Sequence, residues 1–142
     1  MRKEGIKMIV NFKEEDKTKT NVVYIINLYT APYGKKFVYI GITKRRLQTR
    51  VNEHLYYNTK SPVYQFIQNN NIKEIEIEIL HECEYEQLLE SVESYSIGRY
   101  FLKHGTQNNK KNRLLNLDLK GFQKMTLAKI EKCCNALEFS LI

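Results

Sequence analysis

Residues 37–54 read FVYIGITKRRLQTRVNEH. The stretch opens on β-branched and aromatic residues, passes through Gly41, and becomes one of the most basic windows in the chain, with Lys44, Arg45, Arg46 and Arg50 ahead of His54. Phe37 to Ile42 has the composition of a strand. Leu47, Val51 and Leu55 then recur at i, i+4 and i+8, so the spacing predicts a helix starting near Arg46 to Gln48. A strand that feeds directly into a basic helix is the corner around which the remaining chain is placed.

Upstream, Val22 to Leu28 reads VVYIINL, apolar on both faces, which predicts a central strand. A local loop containing Pro32 and Gly34 joins it to the next strand, as in an antiparallel hairpin. Further back, Ile6, Met8, Val10 and Phe12 alternate with Lys7, Ile9 and Asn11, the pattern of an extra N-terminal strand, and KEEDKTKTN over 13–21 reads as a polar linker. Downstream, Ser61 before Pro62 is an N-cap and first-turn pair for a short helix that Asn69, Asn70 and Asn71 end. In IEIEIL, Ile75, Ile77 and Ile79 alternate with Glu76, Glu78 and Leu80, so one face is wet and the strand is expected at a sheet edge. A helix is expected from about Tyr85 to Lys103, with Leu88, Leu89, Val92 and Tyr95 on its apolar face. A polar loop over 105–113, a short ordered return LLNLDLKG and an amphipathic helix over 124–141 follow.

At 142 residues the chain is long enough for one domain with a core of its own. Lys and Arg number 23 against 16 Asp and Glu, a net charge of +7 that favours a polyanionic partner. Three cysteines, Cys83, Cys133 and Cys134, lack the even count of a disulfide framework and point to a reducing, cytoplasmic setting. No apolar run approaches the ~20 residues of a membrane span, and acids stand where a signal peptide would be apolar. His81 with the cysteines lacks the CxxC or HxxxH spacing of a zinc site.

The period of two places Phe37, Tyr39 and Gly41 on one strand face and Val22, Tyr24 and Ile26 on one face of its partner, so Tyr24 and Tyr39 can meet. Read blandly, both are core aromatics. Arg50 and His54, four apart, share a helix face beside the apolar stripe, and read blandly Arg50 pairs with Glu53 on a solvated surface. Leu89, Glu93, Ile97 and Phe101 form one i, i+4 row that Glu93 interrupts. A carboxylate in an apolar row must be paired, bind a metal or border a cleft, because an unpaired buried charge is costly. Phosphodiester cleavage needs a base for water, positive charge for the phosphoryl oxygens and a divalent ion near the leaving oxygen, and Tyr24, Tyr39, Arg50, His54 and Glu93 offer those roles.

These motifs resemble the GIY-YIG nuclease superfamily. VVY at Val22 to Tyr24 stands at the first motif, with Val22 in place of glycine, and YIG at Tyr39 to Gly41 is the second motif. Leu47-x-x-Arg50-Val51-x-x-His54 is similar to the helix pattern, SVESYSI carries Glu93 at the metal-binding glutamate, and LLN places Asn116 at the family's asparagine. The resemblance covers residues 22–121, leaving an N-terminal extension over 1–21 and a C-terminal helix within 122–142. It implies an α+β fold in which a small three-stranded antiparallel sheet is flanked by helices. It also implies a Mg2+- or Mn2+-dependent DNA endonuclease in which Glu93 ligates the ion and Arg50 offsets charge on phosphorus. Tyr39 or Tyr24 would activate water, with His54 either orienting the tyrosine or taking the water's proton itself, Asn116 completing the catalytic set and Gly41 serving a structural role. Lys44, Arg45, Arg46, Lys110 and Lys111 are the expected phosphate contacts. A catalytically silent nucleic-acid-binding module of the same fold is the alternative. Leu127, Ile130, Cys134, Leu137 and Leu141 share one helical face, which either covers the chain's own core or forms a homodimer.

Overall fold

Seven consecutive buried residues, Val22 to Leu28, begin the strand β2 (Val22–Thr30), and this burial on both faces follows from neighbours on either side and cover above and below. The computed structural model describes residues 8–30, 36–104 and 112–114. Around β2 lie β1 (Ile9–Phe12), β3 (Lys36–Thr43), β4 (Ile72–Glu82) and β5 (Asn112–Leu114), forming a mixed sheet of five strands in the order β1-β4-β2-β3-β5. The helices are α1 (Leu47–Asn52), α2 (Pro62–Asn69) and α3 (Leu89–His104), so the class is α+β.

The three antiparallel strands expected from the resemblance are the centre of a larger sheet: β2 pairs antiparallel with both β3 and β4, while β1 adds parallel to β4 and β5 adds parallel to β3. β4 is therefore not an edge. Its alternation of Ile75 and Ile77, buried, with exposed Glu78 reports one wet face of this strand alone. Alternation says nothing about which strand lies beside it, and β1 occupies that edge through pairs such as Val10 with Ile75. The loop expected over 105–113 gives way to β5 at Asn112.

Each sheet face carries a core. On one, Val22, Tyr24, Ile26, Leu28 and Tyr39 pack with Leu47, Val51 and Leu55 of the first helical segment and with Val63 and Ile67 of α2. On the other, Val23, Ile25, Val38 and Ile40 pack with Leu89, Val92 and Ile97 of α3. Full burial of side chains of this size contributes roughly 1.5–3 kcal/mol each, so both faces hold the sheet as a platform.

The polar segment expected to be a linker is tied to the fold. A 3-10 turn at Glu14–Asp16 brings the Lys17 and Lys19 carbonyls to the start of α1, where they accept the N–H groups of Gln48 at 3.0 Å and Leu47 at 2.9 Å. Arg46, at the cap position, supplies no side-chain bond, so these carbonyls satisfy donors that a helix start leaves unpaired. Asn21, at φ 52, turns the chain into β2 while its carbonyl accepts from Cys83 N–H at 2.8 Å. Asn116, Lys110, Lys111 and the expected helix over 124–141, with its lid and dimer readings, lie outside the described residues.

Candidate active site

Tyr24 sits opposite Gly41 in the β2–β3 register and Tyr39 opposite Ile26, which makes the two tyrosines diagonal neighbours on one face. Gly41 permits their approach: a Cβ there would lie 2.5 Å from Tyr24 Oη, 2.7 Å from its Cζ and 2.8 Å from Tyr39 Cε2. No side chain fits in that space.

Above the tyrosines α1 widens into a π-helical turn, Glu53–Tyr57, a form of helix common at functional sites. His54, in that turn, is 0% exposed. Its Nε2 lies 2.8 Å from Tyr24 Oη and its Nδ1 lies 2.7 Å from Ser61 Oγ. Its ring meets the Tyr39 ring edge-on, with centroids 5.2 Å apart. Burial, reinforced by the Arg50 charge and only partly opposed by Glu53, pushes the imidazole down to about 3. At neutral pH His54 is therefore uncharged.

Arg50, one turn earlier, reaches both phenols and is also 3.1 Å from Glu53 Oε1. Burial drives the Tyr24 hydroxyl well above the ordinary tyrosine range, with Tyr39 adding to the effect and Arg50 opposing it. Burial likewise raises Tyr39, against Arg50 and with a smaller contribution from Glu93. Tyr24 is 0% exposed, whereas Tyr39 retains 9%. The cluster thus has a buried back, Tyr24 with His54 and Ser61, and an accessible rim, Tyr39 with Arg50.

Glu93 comes to this rim from α3, on the opposite side of the sheet. β5 pairs with β3 only at Lys36 to Val38, so among the described residues no strand lies beyond Tyr39 to Thr43. The Glu93 carboxylate acts electrostatically on both Tyr24 and Tyr39. Burial, with Glu90 nearby, lifts its carboxyl to about 7. Among the described residues no cation pairs with it.

Such a half-buried carboxyl suits a divalent ion. Mg2+ is commonly held by one or two carboxylates, with waters and substrate oxygens completing its shell. Among the described residues no group of three or more His, Cys, Asp or Glu gathers, and the acid that acts on Glu93 there is Glu90. His81 and Cys83 likewise join no such group.

The expected phosphate contacts divide. Arg45 is clamped to Glu53 by two bonds of 2.6 and 3.1 Å, which makes it part of the support for Arg50. Lys44 lies 3.9 Å from Glu86 with its side chain 67% exposed. Arg46 is exposed and makes no ion pair among the described residues. A separate groove of about 580 Å³, lined by Ile25, Ile40, Leu80, His81, Tyr95 and Arg99 among others, lies on the α3 face, away from the tyrosine and histidine cluster.

Two participants are not evident as site residues from sequence reading. Ser61 carries the signature of a helix cap, and nothing in its spacing from His54 is periodic. Glu53 reads as a surface partner of Arg50, without its second link to Arg45. In comparisons with known proteins, no family model, curated protein or solved structure matches this chain.

Proposed function

We propose that this protein is a metal-dependent endonuclease that hydrolyses phosphodiester bonds in DNA. The observation that carries the reading is the convergence of Tyr24, Tyr39, Arg50, His54 and Glu93, from two strands and two helical segments, on one end of the sheet. The net charge of +7 and exposed Lys44 and Arg46 beside that end suit a polyanionic substrate.

Arg50 is placed to neutralise charge on the phosphoryl oxygens, because its guanidinium is held from behind by Glu53 while it faces both phenols. Tyr39 is the phenol at the rim and therefore the one that water and substrate reach. As the phenolate it would take the proton of the attacking water; burial holds the hydroxyl above its ordinary range, so the phenolate is the minor form that Arg50 favours. Tyr24 and His54 form the buried backing that fixes Arg50 and the Tyr39 ring. Glu93 would hold the divalent ion, Mg2+ or Mn2+, which supplies Lewis-acid stabilisation of charge on the leaving oxygen when bound.

The deciding experiment follows cleavage of plasmid and oligonucleotide DNA with Mg2+, with chelator, and with Glu93→Gln. The expected result is Mg2+-dependent cleavage that chelator and Glu93→Gln both abolish, with the fold and DNA binding retained. A wild-type chain that binds DNA without cutting it, under any divalent ion, leaves the catalytically silent module in place of the enzyme.

A further inference from the structure

We infer that Ser61 is a positioning residue, which holds His54 with its proton on Nδ1 and so leaves Nε2 as the acceptor for the Tyr24 hydroxyl. Ser61 caps α2, and a cap alone explains its presence before Pro62. The distances separate the two roles. Ser61 Oγ is 2.7 Å from His54 Nδ1 but 3.5 Å from the Tyr64 amide that it caps. A strong hydrogen bond falls at the first distance and only a marginal one at the second, so the hydroxyl is aimed chiefly at the histidine. Both Ser61 and His54 are buried, at 4% and 0% exposure.

The direction of the bonds follows from donor counting. Tyr24 Oη has one hydrogen to give, and Arg50, which also reaches it, has only donors. His54 Nε2, at 2.8 Å, is the acceptor within reach. Were Nε2 protonated, two donors would converge on the phenol oxygen and the phenol's own hydrogen would be buried without an acceptor. With the proton on Nδ1, Tyr24 donates to Nε2 and Nδ1 donates to Ser61 Oγ; the hydrogen left over is that of the Ser61 hydroxyl, on a residue that keeps 4% exposure, whereas Tyr24 has none. The groups facing the imidazole are Tyr24 from β2, Tyr39 from β3, Arg50 and Glu53 from its own helix, and Ser61 from the start of α2. Of these only Ser61 touches Nδ1.

The inference rests on the nuclease reading only where activity is measured. Nitrogen-15 NMR of the full-length protein without added metal identifies the protonated nitrogen of His54 directly, whether or not the chain cleaves DNA. Wild type and Ser61→Thr, which keeps the hydroxyl, should show the Nδ1-protonated tautomer, whereas Ser61→Ala should show mixed tautomers. Ser61→Asp keeps a helix cap and puts a carboxylate beside Nδ1, so it should retain the tautomer and raise the pH at which His54 titrates by at least one unit, about tenfold in proton affinity. In cleavage assays Ser61→Ala should lose about tenfold or more in kcat with little change in KM, and Ser61→Thr should restore it. Should Ser61→Ala fail to fold, the Thr and Asp variants carry the test. An Nε2-protonated wild type, an unchanged tautomer in a folded Ser61→Ala, or a Ser61→Asp in which His54 titrates as before overturns the inference. A wild type without nuclease activity but with the expected spectra overturns the functional reading and leaves Ser61 in its role.

Discussion

His54 Nε2 stands 2.8 Å from Tyr24 Oη, joining residues 30 positions apart in the chain at full burial. The imidazole is uncharged at neutral pH and fully buried, so in the tautomer inferred above it accepts from Tyr24 and does not meet water directly. On the proposed reading the two tyrosines of the site therefore have different duties.

That division predicts different costs for two conservative substitutions. Tyr39→Phe removes the hydroxyl at the rim and should lower the cleavage rate by about 10² or more with the fold intact. Tyr24→Phe strips His54 of a buried partner, so it should also lower stability by about 1–3 kcal/mol. Urea denaturation beside single-turnover cleavage measures both. Two variants with wild-type rates would return these residues to packing alone.

Gly41→Ala should be more damaging than its one methyl group implies. The added carbon would collide with the Tyr24 hydroxyl and the Tyr39 ring, and overpacking of this kind typically costs about 1–3 kcal/mol. A lowered denaturation midpoint, with cleavage reduced at temperatures where the variant is still folded, is the expected outcome. An unchanged midpoint and rate contradict the tight approach of the two rings.

Glu93 should make stability depend on pH. Its carboxyl is raised from 4.5 to about 7 in the fold, so its contribution is fully present below pH 4.5 and lost as pH rises through 7. Without metal, Glu93→Gln should therefore gain about 3 kcal/mol on wild type between pH 4.5 and pH 8. His54 acts oppositely: lowered from 6.5 to about 3, it contributes stability above pH 6.5 that is lost as pH falls through 3. The difference between wild type and Glu93→Gln isolates the glutamate from that background. Mg2+ should stabilise wild type above pH 7 and leave Glu93→Gln unchanged. Parallel stability curves for the two proteins contradict the raised carboxyl.

Neighbouring arginines should give distinct phenotypes. Arg46→Ala removes a solvated charge and should flatten the dependence of DNA affinity on salt by a slope of about 1, leaving the single-turnover rate at saturation unchanged. Arg45→Ala releases Glu53 from its two-bond clamp, so it should slow cleavage at saturating DNA. Binding titrations between about 50 and 200 mM salt, paired with single-turnover rates, separate them. Identical behaviour of the two variants would deny Arg45 its supporting role.

Much of this arrangement is local periodicity and was therefore legible. The period of two puts Tyr24 and Tyr39 on one sheet face, the spacing of four puts Arg50 beside His54, and a break in an apolar row singles out Glu93. What escaped depends on contacts between distant segments. The alternation in β4 reports which face is wet but carries no information about β1 beyond it. Ser61 looks like a cap because capping is local, whereas its shorter bond reaches seven residues back to His54. The Glu53 link to Arg45 spans eight residues and follows the geometry of the strand-to-helix corner, which no single periodicity describes.

The bonds from Leu47 and Gln48 to the carbonyls of Lys19 and Lys17 bear on how the molecule can be dissected. A fragment begun at Val22, where β2 starts, would expose two amide donors at the head of the helix that carries Arg50 and His54. It would also strip β4 of its outer neighbour and present a bare strand edge to other copies. The shortest autonomous unit therefore begins upstream of β1, and an affinity tag or fusion joint belongs ahead of that strand.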